Sequence, residues 1–128
     1  TEHVKMTAIP VHHGDIPALA WRIEIAGQSI VITGSFNNSK NLVATFAKNA
    51  DVLVVSHAIP ENSRGVLRDL YARPSQLGRV ADQADARMMI LGHRSVRTRG
   101  RESLSRNAIE ENYDGTILFA NDGECWGL

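Results

Sequence analysis

This chain of 128 residues has a single cysteine, few aromatic side chains and no excess of either charge. The single cysteine, Cys125, cannot close an intrachain disulfide, so the fold depends on its core and suits a reducing compartment. The 14 basic and 14 acidic side chains cancel, which gives no electrostatic reason to expect nucleic-acid binding. No apolar run reaches membrane-spanning length, and no signal-peptide pattern follows Thr1, where we expect a processing boundary. Composition therefore predicts a single cytoplasmic domain over residues 1–128.

Short apolar segments alternate with helical segments along the chain. A strand is predicted over residues 4–11, and a hairpin follows with strands over residues 21–25 and 29–33. Further strands and helices alternate after the hairpin: strands over residues 51–56, 87–91 and 116–120, and helices capped by Ser39, starting at Pro74 and spanning Glu102 to Asn112. The last of these helices is predicted to turn Leu104, Ala108 and Ile109 inward.

The later strands are separated by helices, so each crossover returns the chain in the same direction. This order predicts an α/β fold with a mixed sheet. The strands over residues 29–33, 51–56 and 87–91 are apolar on both faces, whereas the three helices are expected to cover only one face. The other face needs a partner, and we expect a second copy of the chain to form a two-fold dimer through it.

Polar side chains stand where four of the predicted strands end. They are His13 after the first strand and, further along the chain, Ser35, His57 and His93. Because ligands of open α/β sheets bind beyond the carboxyl ends of the strands, these side chains are expected to share one rim. Neutral imidazole is a common zinc ligand, so the pattern is compatible with a zinc site, although a lone strand-end histidine is more often structural.

Several segments together resemble the metallo-β-lactamase superfamily, in its ribonuclease-Z-like and arylsulfatase-like branch. Residues 10–13, Pro-Val-His-His, followed by residues 17–24, Pro-Ala-Leu-Ala-Trp-Arg-Ile-Glu, are similar to the third metal motif of the family. Residues 33–37, Thr-Gly-Ser-Phe-Asn, are similar to its glycine-aspartate turn, and residues 91–93, Leu-Gly-His, to its closing strand-end histidine. The basic segment over residues 97–102, Arg-Thr-Arg-Gly-Arg-Glu, resembles one sub-branch.

This resemblance implies half of an αββα sandwich, with helices on one face of the mixed sheet and the other face covered by a partner. Only the second half is represented, because the His-x-His-x-Asp-His loop of the first half has no counterpart in this sequence. The partner is then a second copy of the chain or a separate first-half polypeptide. The chemistry of the family is zinc-dependent hydrolysis of ester, amide or phosphodiester bonds, in which the metal activates water.

The resemblance assigns His13 and His93 as metal ligands, and His57 as a proton-transfer group or a support for a ligand. Ser35 stands where the family has an aspartate that bridges two metal ions, and a neutral hydroxyl is a much poorer bridge. His12 or Asp15 is the candidate for a third ligand. Since catalytic zinc usually has three protein ligands, we expect zinc to bind weakly or not at all to this chain alone.

Four arginines follow the last candidate ligand, at Arg94, Arg97, Arg99 and Arg101. Arginine matches carboxylates and phosphates bidentately, so they are candidates for binding an anionic group of a small-molecule substrate, although solvated surface arginines are common. The leading hypothesis is the C-terminal half of a metal-dependent hydrolase with an incomplete metal site. The alternative is a non-catalytic half-domain that dimerises as a scaffold or binding module. A nucleotide-binding domain is disfavoured, because no glycine-rich loop follows the first strand.

Overall fold

A computed structural model describes residues 3–127, so Thr1 and the boundary expected there lie outside the described residues. This part of the chain forms one six-stranded sheet and four helices. The strands are β1 (Val4–Val11), β2 (Ala18–Ile25), β3 (Gln28–Ile32), β4 (Val52–Ser56), β5 (Met88–Gly92) and β6 (Thr116–Phe119). The helices are α1 (Leu42–Phe46), α2 (Val66–Leu70), α3 (Pro74–Ala84) and α4 (Glu102–Glu110).

The strands lie in the sheet in the same order as in the chain. β1, β2 and β3 pair antiparallel, and β3 to β6 pair parallel, which confirms the predicted hairpin and mixed sheet. The turn between β2 and β3 consists of Ala26 and Gly27, both with positive φ, as in the type I′ turns that match the twist of a hairpin. β1 and β3 are both antiparallel to β2, so β1 runs in the same direction as β3 to β6. These five strands therefore end at the same edge of the sheet, which we call the carboxyl edge.

One face of the sheet is buried under helices α1, α3 and α4. Val31, Leu53, Met89 and Leu91 on this face are fully buried, as expected for strands covered by helices. α3 begins at Pro74, as predicted, and its predicted inward residues are all buried: Leu77, Val80, Ala81 and Ala84. The core therefore lies between the sheet and a layer of three helices.

Details of two predicted helices are wrong, and a third helix was not predicted. α1 begins at Leu42 after Asn41 in a left-handed conformation, so Ser39 does not cap it. In α4 the side chain of Leu104 is 65% exposed, whereas Ser105 is buried with Ala108 and Ile109. A helix turns by about 100° per residue, so the face that buries Ala108 and Ile109 includes Ser105 and excludes Leu104. The short helix α2 is the one for which the sequence analysis made no prediction.

The opposite face of the sheet, which we call the open face, carries large apolar side chains that none of the described helices covers. Alternation along the strands and the pairing register place Met6, Leu19, Trp21, Ile25 and Ile32 on this face, and each is 40% exposed or more. Isolated exposed apolar residues are ordinary, but neighbouring ones on one sheet mark a contact surface. Cover of this face by a partner stays a prediction. Among the described helices, none is long and apolar enough to cross a bilayer.

Helices α3 and α4 pack so closely at Gly78 that a side chain does not fit there. A Cβ atom at this position would lie 2.6 Å from the carbonyl oxygen of Ile109 and 3.0 Å from its Cα. Backbone atoms cannot move aside as a flexible side chain can, so the two helices would have to separate.

We expect Gly78→Ala to lower the free energy of unfolding by about 1–3 kcal/mol, because it overpacks the contact between α3 and α4. The measurement is urea denaturation followed by circular dichroism. Gly92→Ala is the matched control, since a Cβ at Gly92 meets no atom within 4 Å, and it should change stability by less than about 0.5 kcal/mol. Equal stability of both variants would contradict the close packing.

Candidate functional site

Three chain segments meet at the carboxyl edge and are joined by backbone hydrogen bonds. The N–H of Asn37, after β3, donates to the carbonyl of His12, after β1, at 2.7 Å. The N–H of Ala72, after α2, donates to the carbonyl of Phe36 at 2.7 Å, and the Asn37 side-chain amide donates to the carbonyl of Asp69 at 2.5 Å. The ends of β1 and β3 are thus joined to each other, to the C-terminal end of α2 and to the residues that follow it.

His13 lies in this junction with one ring nitrogen already bonded. Its Nδ1 is 2.5 Å from the carbonyl oxygen of Leu70. A carbonyl oxygen only accepts hydrogen bonds, so Nδ1 carries the hydrogen and Nε2 of the neutral ring keeps its lone pair. Metal-ligating histidines are commonly held in this way, with the second ring nitrogen donating to a carbonyl or carboxylate. The donor chemistry at His13 therefore fits a ligand that binds through Nε2.

His93 lies at the same edge, directly after β5, and its ring is solvent-exposed. Its φ is 50°, in the left-handed region that residues with a side chain adopt at a cost. Tyr71 is an aromatic neighbour of both candidate ligands: its ring centroid is 5.2 Å from that of His13 and 6.3 Å from that of His93. The structure thus brings His13 and His93 to one side chain that sequence analysis did not identify.

The loop after His93 is held against the end of β4 by side-chain hydrogen bonds. The Ser95 hydroxyl donates to the carbonyl of Ala58 at 2.8 Å, and the buried Thr98 hydroxyl donates to the carbonyl of His57 at 2.7 Å. The N–H of Ser95 in turn donates to the Thr98 hydroxyl at 3.0 Å. These contacts restrict the loop, and with it the backbone on which His93 is placed.

Arg94 joins this loop to α4 and to the end of β6. Its guanidinium forms an ion pair with Glu102 at 2.9 Å, donates to the carbonyl of Ala120 at 2.6 Å and bonds the Asn121 side chain. The pKa of Glu102 is held below its usual value by its own backbone N–H and by the Arg94 guanidinium. Arg94 therefore has a structural role in the loop, whether or not it also meets an anion.

The other three candidate arginines, Arg97, Arg99 and Arg101, are exposed. Of these, Arg99 lines a polar cavity of about 670 Å³ together with His93 and Arg94. This cavity also contains Glu102 and Asp122, so its charges are mixed. Anion binding by the four arginines stays a prediction, with Arg99 the best placed of them beside His93.

His57 is buried, with its ring between α4 and β6. Its Nε2 lies 2.6 Å from the Ser105 hydroxyl, its ring centroid is 5.4 Å from that of Phe119, and Nδ1 has no partner among the described residues. Burial lowers the pKa of His57 to about 4, against an ordinary value of 6.5, an effect that the nearby Glu102 carboxylate partly opposes. The ring is therefore neutral at pH 7. Its role in proton transfer or ligand support stays a prediction.

The remaining candidate residues, His12, Asp15 and Ser35, do not form a cluster with His13. His12 and Asp15 are exposed, and Ser35 is half-buried in the turn after β3, without a side-chain hydrogen bond to another described residue. Across residues 3–127, no three His, Cys, Asp or Glu side chains lie together as a metal site. His13 and His93 thus fit individual ligand positions, but the described residues do not enclose a metal ion on their own.

Sequence reasoning missed Tyr71, Thr98 and Ser105. Tyr71 follows the unpredicted helix α2, whose only sequence signal is the spacing of Leu67 and Leu70 on one helical face. Ser105 looks like a surface residue, because the inward position on α4 was assigned to its neighbour Leu104. Thr98 belongs to the basic segment over residues 97–102, which was interpreted through its arginines and not through the threonine hydroxyl.

No protein-family model matches the chain, and no curated protein matches it significantly. Solved structures do. The metallo-β-lactamase fold protein YhfI from Bacillus subtilis is 20% identical and superposes with a TM-score of 0.83 over 98% of this chain and 50% of its own. A diphosphatase from the PhnP family is 16% identical, with a TM-score of 0.69 over 95% of this chain and 42% of its own. A proposed metal-dependent hydrolase from Parabacteroides distasonis is 14% identical, with a TM-score of 0.61 over 91% and 51%.

These similarities show the fold. The chain adopts half of a metallo-β-lactamase fold, with its mixed sheet and its helices, as the sequence resemblance implied. It spans about half the length of the solved structures that it matches. At such low identity the likeness concerns the fold alone, and neither activity nor the branch within the superfamily follows from it.

The buried, neutral His57 makes the free energy of unfolding of the chain depend on pH. Because its pKa in the folded chain lies below 6.5, the unfolded chain binds more protons between about pH 6.5 and pH 4. Stability should therefore fall as the pH drops through this window, by up to about 1.4 kcal/mol per pH unit. His57→Gln, which retains a polar partner for Ser105, should flatten this slope. Urea denaturation at pH 7 and pH 5 measures it, and an unchanged slope in the variant would refute the assignment.

Proposed function

We propose that this chain is the second half of a metal-dependent hydrolase of the metallo-β-lactamase superfamily, and that it contributes part of a metal site. The observation that carries the proposal is the arrangement of His13. Its Nδ1–H is bonded to the Leu70 carbonyl, which leaves Nε2 free as a ligand atom at the same edge as His93.

Zinc is the metal that we propose, and when bound it would lower the pKa of a water molecule and polarise the bond to be hydrolysed. His13 and His93 are the proposed ligands in this chain, and His12 or Asp15 is the candidate for a third. Ser35 stands where the family has a bridging carboxylate, so we expect the site to hold a second metal ion poorly. The remaining ligands would come from outside this chain.

The proposed substrate is a small molecule with an ester, amide or phosphodiester bond and an anionic group. The diphosphatase among the similar structures is consistent with a phosphate-containing substrate. Arg99 beside His93 would bind the anionic group, with Arg97 and Arg101 on the same loop. His57 would support the loop that carries His93, since its carbonyl accepts from Thr98 and its ring is enclosed. Membership of the ribonuclease-Z-like and arylsulfatase-like branch, and a cytoplasmic location, belong to this proposal.

The missing ligands and the cover of the open face are assigned to one partner, the first half of the fold. Support comes from the share of each chain that superposes: nearly all of this chain matches about half of each solved structure. The exposed apolar side chains of the open face are the surface that a second sheet would cover. A second copy of this chain would bring the same histidines and no new type of ligand.

The alternative function is a non-catalytic scaffold or binding half-domain that forms a homodimer. Two observations favour it: the described residues contain no metal-binding cluster, and the open face exposes several large apolar side chains. Two copies packed through this face would bury it without any metal chemistry. Metal binding and oligomeric state together separate the two functions.

The hydrolase proposal predicts that the chain binds zinc at one site through His13 and His93. Isothermal titration with zinc should show weak binding by the wild-type chain, and His13→Ala or His93→Ala should lower the affinity at least about tenfold. His3→Ala is the matched control, because His3 lines a cavity beside Glu24 and Gln28, with no contact to the carboxyl edge. Equal zinc affinity in all three variants would contradict the ligand assignment.

The scaffold alternative predicts that the isolated chain is a dimer formed through the open face. Light scattering should then give twice the mass of one chain, and Ile32→Lys should convert the dimer to a monomer by placing a charge in the interface. Val96→Lys is the control, because Val96 is 84% exposed in the loop after β5. A monomeric wild-type chain with a cooperative unfolding transition would rule the scaffold out.

A further inference from the structure

We propose that Tyr71 is the residue that sets the position of His13 relative to His93. The proposal deepens the function above, since it matters most if both histidines are ligands. It concerns the ring of Tyr71 and not its hydroxyl. Nothing in the sequence pattern assigns this residue a role.

The first observation is that both histidines contact the same ring. The His13 ring lies at 58° to the Tyr71 ring, and the His93 ring meets it nearly edge-on at 80°. Tilted and edge-on arrangements at centroid distances of about 4.5–7 Å are the favourable ones for aromatic pairs. The Tyr71 ring therefore acts as a spacer that both imidazoles contact.

The second observation is that the backbone on both sides of Tyr71 is fixed. The Tyr71 N–H donates to the carbonyl of Leu67 at 2.9 Å, and the N–H of Ala72 donates to the carbonyl of Phe36 at 2.7 Å. The preceding carbonyl, that of Leu70, accepts from His13. The last residue of α2 thus determines the tautomer of His13, and the residue that follows it sets the spacing of the two rings.

The third observation is that the two candidate ligands otherwise belong to separate networks. His13 is bonded to the last residue of α2, whereas the loop of His93 is bonded to the end of β4, to α4 and to the end of β6. Among the described residues, no side-chain hydrogen bond joins His13 to that loop. The ring of Tyr71 is the contact that both histidines share.

The main chain at His93 is strained and is held by its neighbours in the fold. The left-handed φ of His93 is unfavourable for a residue with a side chain, and it is retained only if its surroundings hold it. The N–H of His57 bonded to the Gly92 carbonyl at 2.7 Å fixes the backbone before His93, and Arg94 fixes it afterwards. These contacts fix the main chain, and the Tyr71 ring edge restricts where the imidazole itself lies.

The role of the ring can be tested on the metal-free chain by NMR of the histidine side chains. Tyr71→Phe keeps the ring and should leave the His13 and His93 resonances near their wild-type positions. Tyr71→Leu removes the spacer and should average the three-bond Hα–Hβ couplings of His13 and His93, which report side-chain rotamers independently of the lost ring current, while those of His3 stay unchanged. Circular dichroism checks that both variants are folded. If Tyr71→Leu moved neither histidine in a folded chain, the proposal would be overturned.

Zinc affinity provides the functional measurement. Tyr71→Leu should weaken zinc binding about tenfold or more, as loss of a group that orients a ligand does, and Tyr71→Phe should restore it to near the wild-type value. An unchanged affinity in Tyr71→Leu would overturn the positioning role. If the wild-type chain bound no zinc, the proposal that it holds zinc on its own through His13 and His93 would fail, whereas the NMR comparison would still decide whether Tyr71 places the two rings.

Discussion

The parallel pairing of β3 to β6, with β1 running in the same direction, is the constraint on which the candidate site depends. It brings the ends of five strands to one edge, and therefore brings together residues as distant in the chain as His13 and His93. The core fixes this pairing, because residues such as Leu53 and Met89 are buried by the helices on one face. A slip of one residue in a strand would exchange its buried and exposed faces, so the strand ends are set by packing far from the site.

Buried polar groups then hold the loops that follow β4 and β5 in place. His57 with Ser105, and Thr98 with the His57 carbonyl, satisfy polar atoms that would otherwise be buried without partners. The ion pair of Arg94 with Glu102 joins the same loop to α4. In each case a residue that could be taken for a catalytic group also has a structural function, so removal of its side chain tests both at once.

The sequence was sufficient to predict the sheet, the hairpin and the long helix from Pro74, because each rests on a local pattern of apolar residues. The resemblance to the metallo-β-lactamase superfamily was confirmed at the level of the fold. Tyr71 could not be predicted as part of the site, because its place depends on contacts with segments far away in the chain. The sequence analysis placed Leu104 on the inner face of α4, where the structure has Ser105. Hydrophobicity favours leucine at a buried position, whereas the Ser105 hydroxyl is stabilised by His57, which lies 48 residues away in the chain.

The order of strands in the sheet has a consequence for how the chain acquires its structure. Since each strand pairs with the one that precedes it in sequence, no later strand has to insert between two that are already paired. The β1–β2–β3 meander can form from local contacts alone, and each following helix and strand then adds at one growing edge. Such a chain can fold in the direction in which a ribosome synthesises it, with the last strand, β6, remaining as the edge.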